Sequence, residues 1–203
     1  MTKNKSLAGL LAEMKAYGEK NHVPIINING LKVLVETVRA ARPRKVLEIG
    51  TAIGYSTLYI AANSAEDVRI TTLELSRERA AEAEAFIARS PYKDNIRIMV
   101  GDAGENLLQL QDKFDLVFID AAKGQYPDYL RKVYPMLGDN AVIIADNVLF
   151  RGYVRGGVET PRRFRTIVKR LREYIGLVEE NQEFQTQIFE NGDGLAVSWR
   201  KNI

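Results

Sequence analysis

Four residues of this chain have types and spacings that could do polar chemistry together: Asp120, Lys123, Asp146 and Asn147. Asp120 closes the apolar run FDLVFI at 114–119, and Asp146 with Asn147 closes AVIIA at 141–145. Runs of that length and composition read as buried strands of a parallel sheet. Ligands of open α/β sheets gather outside the carboxyl ends of the strands, so two strand ends would present three hard oxygen donors. That set suits Mg²⁺ or a similar divalent cation, which keeps positions open for water and substrate. Either aspartate alone would read as a helix or turn cap, but the pair with Asn147 and a nearby lysine favours metal. An ordinary lysine amine, with a pKa of about 10.4, is a poor base at neutral pH. A neighbouring divalent cation disfavours the protonated amine and also acidifies a coordinated hydroxyl. Both effects ease a proton transfer from a substrate oxygen to Lys123, the candidate general base.

A second group of residues reads as a cofactor cradle. Residues 46–56 run from an apolar strand through a turn bounded by Gly50 and Gly54 to a helix start carrying Tyr55 and Ser56. Glycine permits a tight path and close ligand approach, and Ser56 and the first amides of a helix supply donors. The turn reads GTAIG rather than the GxGxxG that cradles a dinucleotide phosphate. Glu48 lies two residues before Gly50, where an acid repels phosphate but suits a cationic ligand. S-adenosylmethionine, with an ammonium and a sulfonium, fits that balance better than NAD. Glu74 ends the next apolar segment, 24 residues beyond Gly50, where a carboxylate can accept both ribose hydroxyls of an adenosine. Gly101-Asp102-Ala103 follows the third segment, a small-residue turn beside which an adenine could slot, with Asp102 or a neighbouring amide reading its edge.

The elements that must position these residues alternate between strand and helix signals, as a parallel sheet with helices on both faces requires. Helices are expected over 6–20 and 30–41, separated by 21–27, where Pro24 breaks the helix. Strands are expected at 45–49, 69–74, 96–100, 114–119 and 140–145, with helices in the intervals. Ser76 is a candidate N-cap for the helix over 76–89. After a helix near 161–174, segments 184–190 and 194–200 bracket Asn191-Gly192-Asp193-Gly194 as a hairpin. A terminal antiparallel hairpin on a parallel sheet departs from plain dinucleotide-binding topology and points to the methyltransferase variant.

At 203 residues the chain makes one domain, 1–203, with 1–41 as a helical cap segment. Its 46% hydrophobic and 27% charged residues are those of a globular protein rather than a disordered one. The absence of cysteine excludes disulfides, thiolate metal sites and cysteine nucleophiles. No apolar run approaches membrane-spanning length and the N-terminus lacks a secretory core, so a cytoplasmic location is expected. The net charge of +3 is uneven: residues 151–172 hold eight basic side chains against the single acid Glu159, or +7, leaving −4 elsewhere. Such a patch fits a polyanion-facing surface or a solvated helix face. His22, the single histidine, takes no catalytic role, and Trp199 and the Leu31, Leu34, Val35, Val38 stripe read as core.

LEIGTAIGYS at 47–56, Glu74, FIDAAKGQY at 118–126, ADN at 145–147 and NGDGLAVS at 191–198 together resemble the cation-dependent class I O-methyltransferases, the catechol and caffeoyl-CoA group. The resemblance covers nearly the whole chain. It implies a Rossmann-like α/β fold with a seven-stranded, mostly parallel sheet, a C-terminal antiparallel hairpin and a homodimer. It places Gly50, Tyr55, Ser56, Glu74, Asp102 and Ala103 around S-adenosylmethionine, with Ile26 in the segment that closes over cofactor and substrate. Asp120, Asp146 and Asn147 would hold Mg²⁺, with Asp120 also near the methionine end of the cofactor, and Lys123 would be the base. Within the group, the chain is most similar to the bacterial tRNA 5-hydroxyuridine methyltransferases, through His22-Val23-Pro24-Ile25, Leu149-Phe150-Arg151-Gly152 and its short length. That implies tRNA as partner through the basic region 151–172, which would neutralise an anticodon backbone. Methylation of a small catechol or hydroxycinnamoyl phenol is the alternative, with Tyr126, Phe150 and Tyr153 as possible aromatic walls. An RNA-binding protein with a vestigial cofactor fold would gain nothing from a base beside a metal.

Overall fold

The computed structural model describes residues 2–156 and 158–201, with side chains from Leu7 onward. Seven strands form one sheet: β1 (Lys45–Ile49), β2 (Arg69–Glu74), β3 (Ile96–Val100), β4 (Phe114–Ile119), β5 (Leu137–Asp146), β6 (Phe184–Phe189) and β7 (Leu195–Arg200). Their order is β3-β2-β1-β4-β5-β7-β6, with β7 the one strand that runs against the other six. The order reverses between β1 and β4, so the crevice where a ligand can enter opens at the carboxyl ends of those two strands.

Both faces are covered. One carries α1 (Thr2–Lys20), α2 (Ile28–Ala41), α3 (Tyr55–Asn63) and α4 (Arg77–Ile87), packed on Val46, Leu116, Phe118, Val142, Ile144 and Val197. The other carries α5 (Ala103–Leu107), α6 (Tyr126–Val133) and α7 (Arg165–Glu179), packed on Leu47, Ile49, Val117, Ile119, Ile143 and Ala145. These sets are alternate residues of the same strands, the period-2 pattern of a sheet buried on both sides.

Local chemistry sets the boundaries. The second helix begins at Ile28, two residues ahead of the expected start, because Asn27 Oδ1 accepts from the Asn29 and Gly30 N–H groups at 3.0 Å each. Ser76 caps α4 through the Arg79 N–H, as expected. Strand β5 starts at Leu137 rather than 140, because Leu137 pairs with Phe114 ahead of an irregularity in the β4 register. The hairpin turns through Gly192 and Gly194, both with positive φ. Trp199 is half-buried against the core, whereas Leu31, Leu34 and Val38 are buried within it.

Candidate active site

Gly50 follows β1 with φ +105, and a Cβ there would lie 2.1 Å from the Asp120 carbonyl oxygen. Only glycine allows the β1 and β4 ends to approach so closely. Beyond this junction lies a cavity of about 520 Å³. Of the residues expected at the site, Ile26, Gly50, Tyr55, Ser56, Glu74, Asp102, Ala103, Asp120, Lys123, Asp146 and Asn147 line it, and Glu48 does not.

One end is built around the carboxylate that closes β2. Glu74, 7% exposed, accepts from the Ala52 N–H at 2.8 Å with Oε2 and from the Ser76 N–H at 2.9 Å with Oε1. Each carboxylate oxygen keeps a second lone pair for a ligand hydroxyl. Leu75 follows on the wall, 70% exposed and apolar. Asp102 lines the cavity and also caps α5, accepting from the Glu105 N–H at 3.1 Å.

The other end gathers the polar residues that close β4 and β5. Lys123 Nζ donates to Asp120 Oδ1 at 2.9 Å. Asp146, 3% exposed, accepts from the Asn147 N–H at 2.8 Å. Burial first, and Asp120 second, push the Asp146 carboxyl up from its ordinary range, while Lys123 works against them. Asn147 takes a left-handed backbone, φ +56, which Asn tolerates better than most residues. Tyr126 is fully buried, and its hydroxyl donates to the Asp146 carbonyl at 2.9 Å, with the Ile119 carbonyl at 3.3 Å. It laces the two strand ends together from behind and does not line the cavity as an aromatic wall.

A family model described as O-methyltransferase matches residues 4–201. The chain belongs to the O-methyltransferase family. It is 31% identical over 171 residues to a catechol O-methyltransferase of Niastella koreensis, across 78% of this chain and 77% of that one. To a caffeoyl-CoA O-methyltransferase of Populus kitakamiensis it is 27% identical over 198 residues, across 93% and 83%. The structure of a Bacillus cereus O-methyltransferase in complex with S-adenosylhomocysteine matches with a TM-score of 0.85 at 26% identity, covering 95% of this chain and 91% of that one.

In this O-methyltransferase Glu48 sits behind the loop that follows β1 instead of lining the cavity, contrary to the expectation of a ligand contact. It is fully buried and accepts from Ser56 Oγ at 2.6 Å, Thr57 Oγ1 at 2.5 Å and Thr72 Oγ1 at 2.6 Å. Desolvation outweighs those three donors and pushes its carboxyl up to about 7. The Ser56 hydroxyl proton is therefore directed to Glu48, not to the cavity. Sequence reasoning also missed Pro24, Asn27, Leu75, Arg79, Gln125 and Tyr129, all on the cavity wall. Leu75 and Arg79 could have been suspected from their position just past a strand-ending acid.

The basic region is divided by the fold. Arg155 pairs with Glu190, Arg170 with Asp128 and Glu173, and Arg172 donates to the Tyr153 and Val154 carbonyls. Arg151, Arg162, Arg163, Arg165 and Lys169 are exposed. Arg151 lies over the Phe150 and Phe164 rings, and Arg163 over Phe164. Phe150, Tyr153 and Phe164 pack on one another and are not part of the cavity wall. Among the described residues, no helix is long and apolar enough to cross a membrane.

Proposed function

We propose that this protein transfers the methyl group of S-adenosylmethionine to a hydroxyl oxygen of an acceptor bearing two adjacent oxygens, with Mg²⁺ or a similar divalent cation held by Asp120, Asp146 and Asn147. The observation that carries the reading is the convergence on one cavity of an adenosine-type wall and an Asp, Asp, Asn and Lys cluster. Family membership and the S-adenosylhomocysteine complex of the Bacillus cereus relative support the cofactor.

The donor set fits the cation. Among the described residues no group of three or more His, Cys, Asp and Glu could hold a metal; the donors proposed are two carboxylates and an amide. That is enough for an ion that keeps several waters and takes one or two carboxylates plus substrate oxygens. Burial and the neighbouring Asp120 disfavour the charged form of Asp146, and a cation held nearby would offset both. When bound, the cation supplies charge that acidifies and orients the acceptor hydroxyl.

The remaining work falls to the protein. Glu74 receives the ribose hydroxyls, Leu75 forms an apolar shelf for the adenine, and the Asp102-Ala103 turn reads its edge. Lys123 takes the acceptor proton on Nζ. The acceptor oxygen then forms a bond to the methyl carbon as the carbon–sulfur bond breaks in line, and S-adenosylhomocysteine leaves. Holding both reactants in that geometry contributes roughly 7–11 kcal/mol.

The acceptor we favour is 5-hydroxyuridine in a tRNA anticodon loop, giving 5-methoxyuridine. Its oxygens at C4 and C5 are adjacent, as in a catechol, and seven of the eight basic side chains at 151–172, which follow Asn147 on the chain, are exposed. The names of the catechol and caffeoyl-CoA relatives favour a small phenol as the second reading. Mass spectrometry of tRNA nucleosides from cells with and without the protein separates the two. Loss of 5-methoxyuridine with accumulation of 5-hydroxyuridine is expected. Unchanged 5-methoxyuridine, together with efficient methylation of catechol by the purified protein, would overturn the RNA reading.

A further inference from the structure

Lys123 opens a 3₁₀ turn, Lys123–Gln125, between β4 and α6. Nothing lies within 4 Å of where a Cβ on Gly124 would be, so no side-chain packing of its own holds the middle of the turn. The support comes from α7. Arg170 Nε donates to the Gly124 carbonyl at 2.9 Å, while its two terminal nitrogens reach Asp128 and, at 2.8 Å, Glu173. Arg131 closes the ring from α6, bonding Asp128 at 2.9 Å and Glu173 at 2.5 Å. All three guanidinium nitrogens of Arg170 are thus engaged, and its side chain is 24% exposed. Arg131 is 53% exposed and makes no bond to the turn. Exposed ion pairs contribute only about 0–1 kcal/mol each, so stability alone does not account for a guanidinium aimed at a carbonyl beside the lysine.

We propose that Arg170 is a positioning residue for methyl transfer, clamping the Gly124 carbonyl and thereby fixing the turn that presents Lys123 to the acceptor. This rests on the reading of Lys123 as base. It also removes Arg170 from the set of charges available to a polyanion. A planar fork is the residue type the geometry requires, because acceptors in the turn, on α6 and on α7 must be met at once. A lysine supplies a point charge and cannot reproduce that arrangement.

The test compares Arg170→Ala and Arg170→Lys with Arg131→Ala, which breaks the same ion-pair ring without touching Gly124. Turnover is measured on whichever of the two acceptors the wild type methylates, and hydrogen–deuterium exchange is followed over residues 122–126. Arg170→Ala should lower kcat about tenfold or more, with KM for S-adenosylmethionine within about twofold, and should speed exchange in the turn. Arg170→Lys should recover part of both. Arg131→Ala should leave kcat within about twofold and exchange in the turn unchanged. Wild-type kcat in Arg170→Ala, an equal loss in Arg131→Ala, or unaltered exchange would each overturn the proposal. Lys123→Met separates the underlying reading: full turnover there refutes the base role, while the exchange data still judge the clamp.

Discussion

Replacing Glu48 by Gln tests the buried carboxyl that anchors the start of α3 to β2 through Ser56, Thr57 and Thr72. Its pKa in the folded protein is about 7 against an ordinary 4.5, chiefly because it is cut off from water. The folded state therefore holds this proton more tightly than the unfolded chain does. The associated stability is present in full below pH 4.5 and is lost as pH rises through about 7. At about 1.4 kcal/mol per pH unit, the loss across that window is about 3 kcal/mol. Glu48→Gln keeps the shape and cannot ionise, so it abolishes this component. Asp146 contributes with the same sign in both proteins and cancels in the comparison. Urea denaturation of wild type and variant at several pH values from 4.5 to about 8 measures it directly. The wild-type advantage over the variant should shrink by about 3 kcal/mol across the series, equivalent to roughly 6–12 °C in Tm for a chain of this size. A stability difference that stays constant within about 0.5 kcal/mol would refute the burial argument.

Three further outcomes are expected. Gly50→Ala forces a Cβ to 2.1 Å from the Asp120 carbonyl at φ +105, so it should cost roughly 3 kcal/mol in thermal unfolding and abolish cofactor binding. Asp146→Ala should eliminate turnover while S-adenosylmethionine affinity by calorimetry changes little, and chelator should likewise silence the wild type; full activity in chelator would contradict a metal role. Neutralising Arg162, Arg163 and Arg165 together should weaken tRNA binding about tenfold or more, and flatten its dependence on salt by about 0.7–0.9 in log–log slope for each phosphate that is no longer neutralised. The affinity for S-adenosylmethionine should stay unchanged, and an unaltered tRNA titration would detach this patch from RNA.

Much of the scaffold is legible before any coordinates. Strands β1 to β4 stand at the expected positions because their apolar runs are short and bounded by polar turns, and the strand-ending acids follow from that framing. Register is not legible. Glu48 lies opposite Thr72 across the β1–β2 ladder, and only that pairing, with Ser56 and Thr57 on the next helix, turns an acid that resembles a ligand contact into a buried acceptor of three hydroxyls. The start of β5 is hidden for a related reason, since the polar pair Gly138-Asp139 lies outside the expected strand at 140–145 although the strand runs through it. The charge window is likewise a property of the linear chain. Tertiary contacts engage Arg155, Arg170 and Arg172, and no local spacing reveals that their partners are Glu190, Gly124, Asp128 and the carbonyls at 153 and 154.

The insertion of β7 between β5 and β6 has a kinetic corollary. Asp146 pairs with Leu195, and the Val148 and Leu149 N–H groups donate to the Gly194 and Asp193 carbonyls. The segment bearing Asp146 and Asn147 thus acquires its second neighbour from a stretch synthesised some fifty residues later. Such distant pairing is slow to form because loop closure must come first. During refolding, native-like secondary structure should accordingly appear before catalytic competence, with recovery of activity tracking the docking of Leu195–Arg200.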